Sequence, residues 1–173
     1  MLQWYQIYIL SVFLFDIKYV NLQNITPVLP PTTEIIDFTN INPAVACKFQ
    51  PNGYDCDGSD LYVPKFYFDL KMEDCKTAFV GSCPHNLNVF KTLSDCHQTC
   101  RDVGLHRIPK TMSPRIFCRL QYDFGHCNGY YQKWYFDVTA RQCKGFSYSG
   151  CGGNMNRFAT QQLCATVCMP LNL

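Results

Sequence analysis

The chain has little of what marks most functional classes. It contains no run of 18 or more apolar residues, so no ordinary transmembrane helix is expected. Neither charge is in surplus: 15 Lys and Arg stand against 13 Asp and Glu, a formal net charge of +2. Nucleic-acid binding rests on a strong basic excess and is therefore not expected. No C-x-x-C pair is present, the spacing that a thiolate zinc site calls for. The four histidines, His85, His97, His106 and His126, are scattered, and neither a metal nor another cofactor is expected. What the chain does have is cysteine, 12 in 173 residues. A large even set points to small disulfide-stapled modules made in an oxidising compartment rather than to one large core. With the cysteines paired, none is left for Cys–His catalysis, and the protein is not expected to be an enzyme.

Ile7 to Phe15 is an apolar run broken only by Ser11. That is the length of a signal-peptide core, although no Lys or Arg precedes it and no A-x-A-like site follows. Residues 1–20 read as a secretory signal, so the protein is expected to be extracellular. Residues 21–46 carry Pro27, Pro30, Pro31 and Pro43 among Thr and Asn and read as a disordered lead-in. Within it, Asn24-Ile25-Thr26 has the pattern of a glycosylation acceptor.

The cysteines fall into two sets. Cys47, Cys56, Cys75, Cys83, Cys96 and Cys100 are separated by steps of 9, 19, 8, 13 and 4. Cys118, Cys127, Cys143, Cys151, Cys164 and Cys168 are separated by 9, 16, 8, 13 and 4. Four of the five steps coincide, so the chain is an internal repeat with one three-residue insertion. The repeats span 47–100 and 118–168, with a connector at 101–117 and a short tail at 169–173.

The near-zero net charge is a cancellation. The lead-in with the signal and the first repeat each sum to −2, the connector and the second repeat each to +3. Arg107, Lys110 and Arg115 give the connector its character. Such a segment is a candidate exosite for an anionic partner, either a glycosaminoglycan or an acidic patch on a protein.

In the second repeat the aromatic-rich Lys133–Val138 reads as a strand, and Lys144–Tyr148 as its hairpin partner. Thr160 is a candidate N-cap for a helix carrying Cys164 and Cys168 on one face. The first repeat parallels this, with strands at Lys65–Leu70 and Lys76–Val80 and a helix opened by Thr92. The fold class is small, disulfide-rich α+β, each module a twisted two-stranded hairpin with a C-terminal helix.

These residues resemble the Kunitz family of pancreatic trypsin inhibitors. The second repeat carries the family pattern from Phe146 through Gly150-Cys151 and Phe158 to Cys164, with Tyr148 and Asn156 at framework positions. The first repeat departs from it at Ala78 and Ser82 but keeps Asn88 and Phe90. The tandem arrangement is similar to that of the tissue factor pathway inhibitor and ixolaris types. The resemblance implies the pairings Cys47–Cys100, Cys56–Cys83 and Cys75–Cys96, and Cys118–Cys168, Cys127–Cys151 and Cys143–Cys164. It also implies a substrate-like loop for a serine protease, held by the second of these bridges in each module.

In that family the residue after the second cysteine enters the protease's primary pocket. Here the pair of positions is Asp57-Gly58 in the first repeat and Asn128-Gly129 in the second. A trypsin-like pocket holds a carboxylate and takes Lys or Arg. Asp57 would add an unpaired buried charge there, at a cost of about 3–5 kcal/mol. Asn128 leaves that carboxylate without its cation, and glycine at the next position loosens the loop. Weak trypsin inhibition is therefore expected. His126, Tyr130 and Tyr131 flank Asn128, and tyrosine is favoured at binding hot spots.

The reading is a monomeric, secreted inhibitor-like protein that binds an extracellular serine protease or zymogen through atypical loops and exosites, as in blood coagulation. Two other readings stand beside it. One is an extracellular module without inhibitory activity. The other is an ion-channel toxin acting through Lys133, Arg141, Lys144 and Arg157.

Overall fold

The computed structural model describes residues 38–51, 63–81, 87–171 and 173, all within one compact unit, Ile36–Leu173. The expected signal, Asn24, the Asp57-Gly58 positions and the expected Cys56–Cys83 pair lie outside the described residues.

Each module is built on the same antiparallel hairpin. In the first, β1 (Val63–Asp69) pairs with β2 (Asp74–Val80), with Phe66 opposite Thr77. In the second, β3 (Tyr131–Asp137) pairs with β4 (Gln142–Tyr148), with Trp134 opposite Gly145. The strands start two residues earlier than the aromatic clusters predict, because the register extends to Tyr131 opposite Tyr148 and Val63 opposite Val80. Both hairpins turn through a left-handed residue, Glu73 (φ 52°) and Arg141 (φ 50°). A lysine closes each hairpin onto the aspartate that ends its first strand: Lys76 onto Asp69, and Lys144 onto Asp137 at 2.7 Å. Burial pulls the Asp69 carboxyl up, but hydrogen bonds from Lys76, the Met72 N–H and Tyr67 outweigh it and hold the group below its ordinary value.

A helix closes each module. Thr92 caps α2 (Leu93–Cys100) by accepting from Asp95 N–H at 3.1 Å, and Thr160 caps α4 (Gln161–Cys168) by accepting from Leu163 N–H at 3.1 Å. The helix spacing buries Cys96 and Cys100, and Cys164 and Cys168, on the inner face. The bridges formed among the described residues are Cys47–Cys100, Cys75–Cys96, Cys118–Cys168, Cys127–Cys151 and Cys143–Cys164. Asn88 and Asn156 play one role in the two modules. Each accepts from the N–H of a residue near the end of the module's first strand, Phe68 or Phe136, at 2.9 Å, and donates back to that residue's carbonyl.

Residues 38–46, expected to belong to a disordered lead-in, are ordered, because Ala44 and Val45 are buried. Phe38–Asn40 forms a 3-10 turn and Pro43–Ala46 the short helix α1, capped by the Asn42 side chain. The connector holds a 3-10 turn at Val103–Leu105 and the helix α3 (Pro114–Phe117), which Ser113 caps. The apolar interior is not divided at the connector. Val45 and Phe49 from before and within the first module join Phe117, Leu120, Phe136, Val138 and Phe158 in one cluster. A smaller cluster, Phe68 with Cys47, Cys96 and Cys100, lies wholly in the first module.

Candidate functional site

The loop of the second module follows from three fixed points around Cys127. The Cys127–Cys151 bridge, with Cα atoms 5.5 Å apart, ties the loop to the segment after β4. Ser149 is buried between the two strands of chain, 1% exposed. Its Oγ accepts from Cys127 N–H at 3.1 Å and donates to Cys151 O at 3.3 Å. Its carbonyl accepts from Gly129 N–H and its N–H donates to Phe124 O, both at 2.8 Å. The backbone on either side of Asn128 is thus anchored while Asn128 itself is exposed.

Two glycines make this geometry possible. Gly125 adopts φ 82°, and a Cβ there would lie 2.0 Å from Cys151 O. A Cβ on Gly129 would meet the Tyr131 ring at 2.5 Å and Ser149 O at 2.7 Å. The looseness expected of Gly129 is therefore offset by an N–H bond and a ring laid against it.

Around the loop stands an aromatic surface. Tyr130 is 81% exposed and meets Phe124 edge-on, 6.1 Å between ring centres. Tyr122 lies 4.9 Å from Tyr135 and 5.3 Å from Phe146. Burial, and then the nearby Asp137 charge, pushes the Tyr135 hydroxyl up to about 12. These rings form one side of a cleft of about 770 Å³ whose other side is the β1–β2 turn of the first module, with Leu70 and Glu73.

Of the residues expected at the site, His126, Asn128, Gly129, Tyr130 and Tyr131 are brought together. The His126 ring lies over Gly152. Asp57 and Gly58 are outside the described residues. Arg107 and Lys110 are exposed on the connector, and Arg115 is half-buried in α3. Two of the four basic residues of the channel-toxin reading are engaged locally: Lys144 with Asp137, and Arg157 with Gly152 O at 2.9 Å and the Tyr148 ring at 4.0 Å. Among the described residues no group of three His, Cys, Asp or Glu is placed to hold a metal, and no helix is long and apolar enough to cross a membrane. Ser149 and Phe124, which shape the frame of the loop, carry no signal in the sequence. Gln50 and Gln121, which reach backbone carbonyls far along the chain, do carry one, a repeated Cys-x-x-Gln at 47–50 and 118–121.

The model of the Kunitz/bovine pancreatic trypsin inhibitor domain matches residues 46–101 and 117–169. The chain belongs to this family. Its members are protease inhibitors rather than enzymes. Amblin of Amblyomma hebraeum is 34% identical over 122 residues, 70% of this chain and 67% of that protein. Papilin of Caenorhabditis elegans is 34% identical over 124 residues, 72% of this chain but 5% of that protein. Tissue factor pathway inhibitor of Rattus norvegicus is 33% identical over 109 residues, 61% of this chain and 36% of that protein. The chain thus spans only part of several Kunitz proteins that it matches. Ixolaris, whose NMR structure was determined with its factor X interaction, is 24% identical, covering 73% of this chain and 97% of that one, with a TM-score of 0.29.

Proposed function

We propose that this tandem Kunitz protein is secreted and binds an extracellular serine protease or zymogen, with the Asn128 loop of the second domain as the contacting head and the basic connector as an exosite. The observation that carries the reading is the contrast at that loop. Its frame is intact, bridged by Cys127–Cys151 and splinted by Ser149. Its tip offers Asn128 with Tyr130 and Tyr131 where a trypsin-directed loop offers Lys or Arg.

A preorganised loop lowers the ordering cost of binding, whatever residue it presents. Asn128 removes the charge pairing that trypsin-like pockets reward, and exposed tyrosines supply contact area instead. The target is therefore a protease that tolerates a neutral residue in its pocket, or one held mainly beside it. Twelve cysteines and relatives named as protease inhibitors fit an extracellular setting. Arg107 and Lys110 would meet an acidic patch or a sulfated glycosaminoglycan.

The test is inhibition and direct binding across a panel of extracellular serine proteases and their zymogens, with trypsin included. Tight binding to at least one member, weakened by Tyr130→Ala, with weak trypsin inhibition, is the expected result. Nanomolar trypsin inhibition would overturn the reading.

A further inference from the structure

The joint between the two domains has a local two-fold character. Counting from the first cysteine of each repeat, Phe49 corresponds to Leu120 and Gln50 to Gln121. Phe49 and Leu120 face each other in an antiparallel bridge. Gln50 N–H donates to Arg119 O, and Gln121 N–H donates to Lys48 O, both at 2.8 Å. Each of these contacts is the image of the other, which is the signature of a self-complementary interface.

The side chains repeat the exchange. Gln50 Nε2 donates to Leu120 O at 2.9 Å and Phe136 O at 2.7 Å, and its Oε1 accepts from Val138 N–H at 3.2 Å. Gln121 Nε2 donates to Phe49 O at 3.1 Å and Phe68 O at 2.8 Å, and its Oε1 accepts from Leu70 N–H at 3.1 Å. Each glutamine crosses into the other domain and holds the end of its first strand. The carbonyls of Phe68 and Phe136 already accept from Asn88 and Asn156 of their own domains. A carbonyl has two lone pairs, and the visiting glutamine takes the second.

The packing beneath agrees. Phe49 is 2% and Leu120 0% exposed, and the shared cluster runs across the joint. Lys48 is buried there too, with its Nζ donating to Gly104 O.

We infer that the face around Gln50 and Gln121 is a domain-pairing surface. It joins the two Kunitz domains into one body, with Phe117 of the connector packed beneath it, and does not depend on the connector being continuous. The partner it fits is a second Kunitz module carrying glutamine three residues after its first cysteine. Both domains satisfy that condition here. The inference stands whichever protease is bound.

The experiment uses the full chain with a cleavage site for a sequence-specific protease set between Arg107 and Lys110, in the exposed part of the connector. After complete cutting, the two halves are run by sedimentation at about 1 μM, where pairs weaker than micromolar come apart. The expected result is co-sedimentation at the mass of the intact chain. In the double variant Gln50→Ala, Gln121→Ala the cut halves should separate, with association at least tenfold weaker. A second measurement needs no variant: NMR relaxation of the uncut chain should give one rotational correlation time for both domains. Halves of the unaltered protein that part on cutting, or two domains that tumble independently, would overturn the inference. So would a double variant whose folded halves stay paired as tightly as before.

Discussion

The Ser149 hydroxyl accepts the backbone N–H of Cys127 at 3.1 Å, 22 residues away in the chain. It is a buried polar group inside the loop clamp, alongside the disulfide. Replacing it by Ala leaves the Cys127 N–H without this acceptor, at a cost of about 1–3 kcal/mol. Ser149→Ala should speed amide exchange at Cys127 and weaken binding of the partner roughly tenfold. Unchanged exchange at Cys127 would show the hydroxyl to be idle.

Asn128→Lys supplies the cation that a trypsin-like pocket takes and that Asn128 does not offer. The frame around it is already set by Gly129 N–H and Ser149. Trypsin inhibition should rise by about 100-fold or more, worth roughly 2.7 kcal/mol. A steady-state inhibition assay on both proteins reads it directly.

Gly104 is buried against Phe68, and a Cβ there would come within 2.4 Å of the ring. Gly104→Ala should destabilise the first domain by about 1–3 kcal/mol, the usual range for overpacking. Thermal unfolding followed by near-UV circular dichroism is the check, with the second domain's loop binding left unchanged.

The Tyr135 hydroxyl sits well above the ordinary tyrosine value of 10.0, at about 12. A raised value means that the folded state holds this proton more tightly than the unfolded one. Its contribution to stability is full below pH 10 and is lost as pH climbs towards about 12. In an alkaline absorbance titration, Tyr135→Phe should remove a late-ionising tyrosine and flatten the fall in stability across that window. An unchanged profile would place the late step elsewhere.

Much of the fold was legible because cysteine spacing is a discrete signal. Four equal steps out of five pointed to a duplication, and the caps Thr92 and Thr160 pointed to helix starts. The strands were found from Trp134 and Phe66 but their first two residues were not, since Tyr131 and Val63 owe their state to cross-strand partners. The position of the loop was legible, since Asn128, Tyr130 and Tyr131 follow directly on the second cysteine of their repeat. Ser149 was missed because its role depends on a loop 22 residues away, and serine by itself signals nothing. Gln50 and Gln121 were missed for a stronger reason. Their partners are backbone groups of the other domain, and only docking brings those groups within reach. The expectation of small stapled modules rather than one large core holds only in part, since Phe68 has a cluster of its own while Val45 and Phe49 serve the larger, shared one.

The crossed glutamines also bear on how the two repeats could have diverged. A duplicated module ordinarily leaves one copy spare, free to accumulate changes while the other keeps working. Here the end of each first strand is finished by a side chain encoded in the other copy. A substitution at Gln50 is felt at Phe136 and Val138, and one at Gln121 at Phe68 and Leu70. The first repeat carries three more residues after Cys56 than the second does after Cys127 and departs from the family pattern at Ala78 and Ser82, yet both repeats carry the glutamine of this joint. The copy that looks the more altered is bound to the other's inheritance.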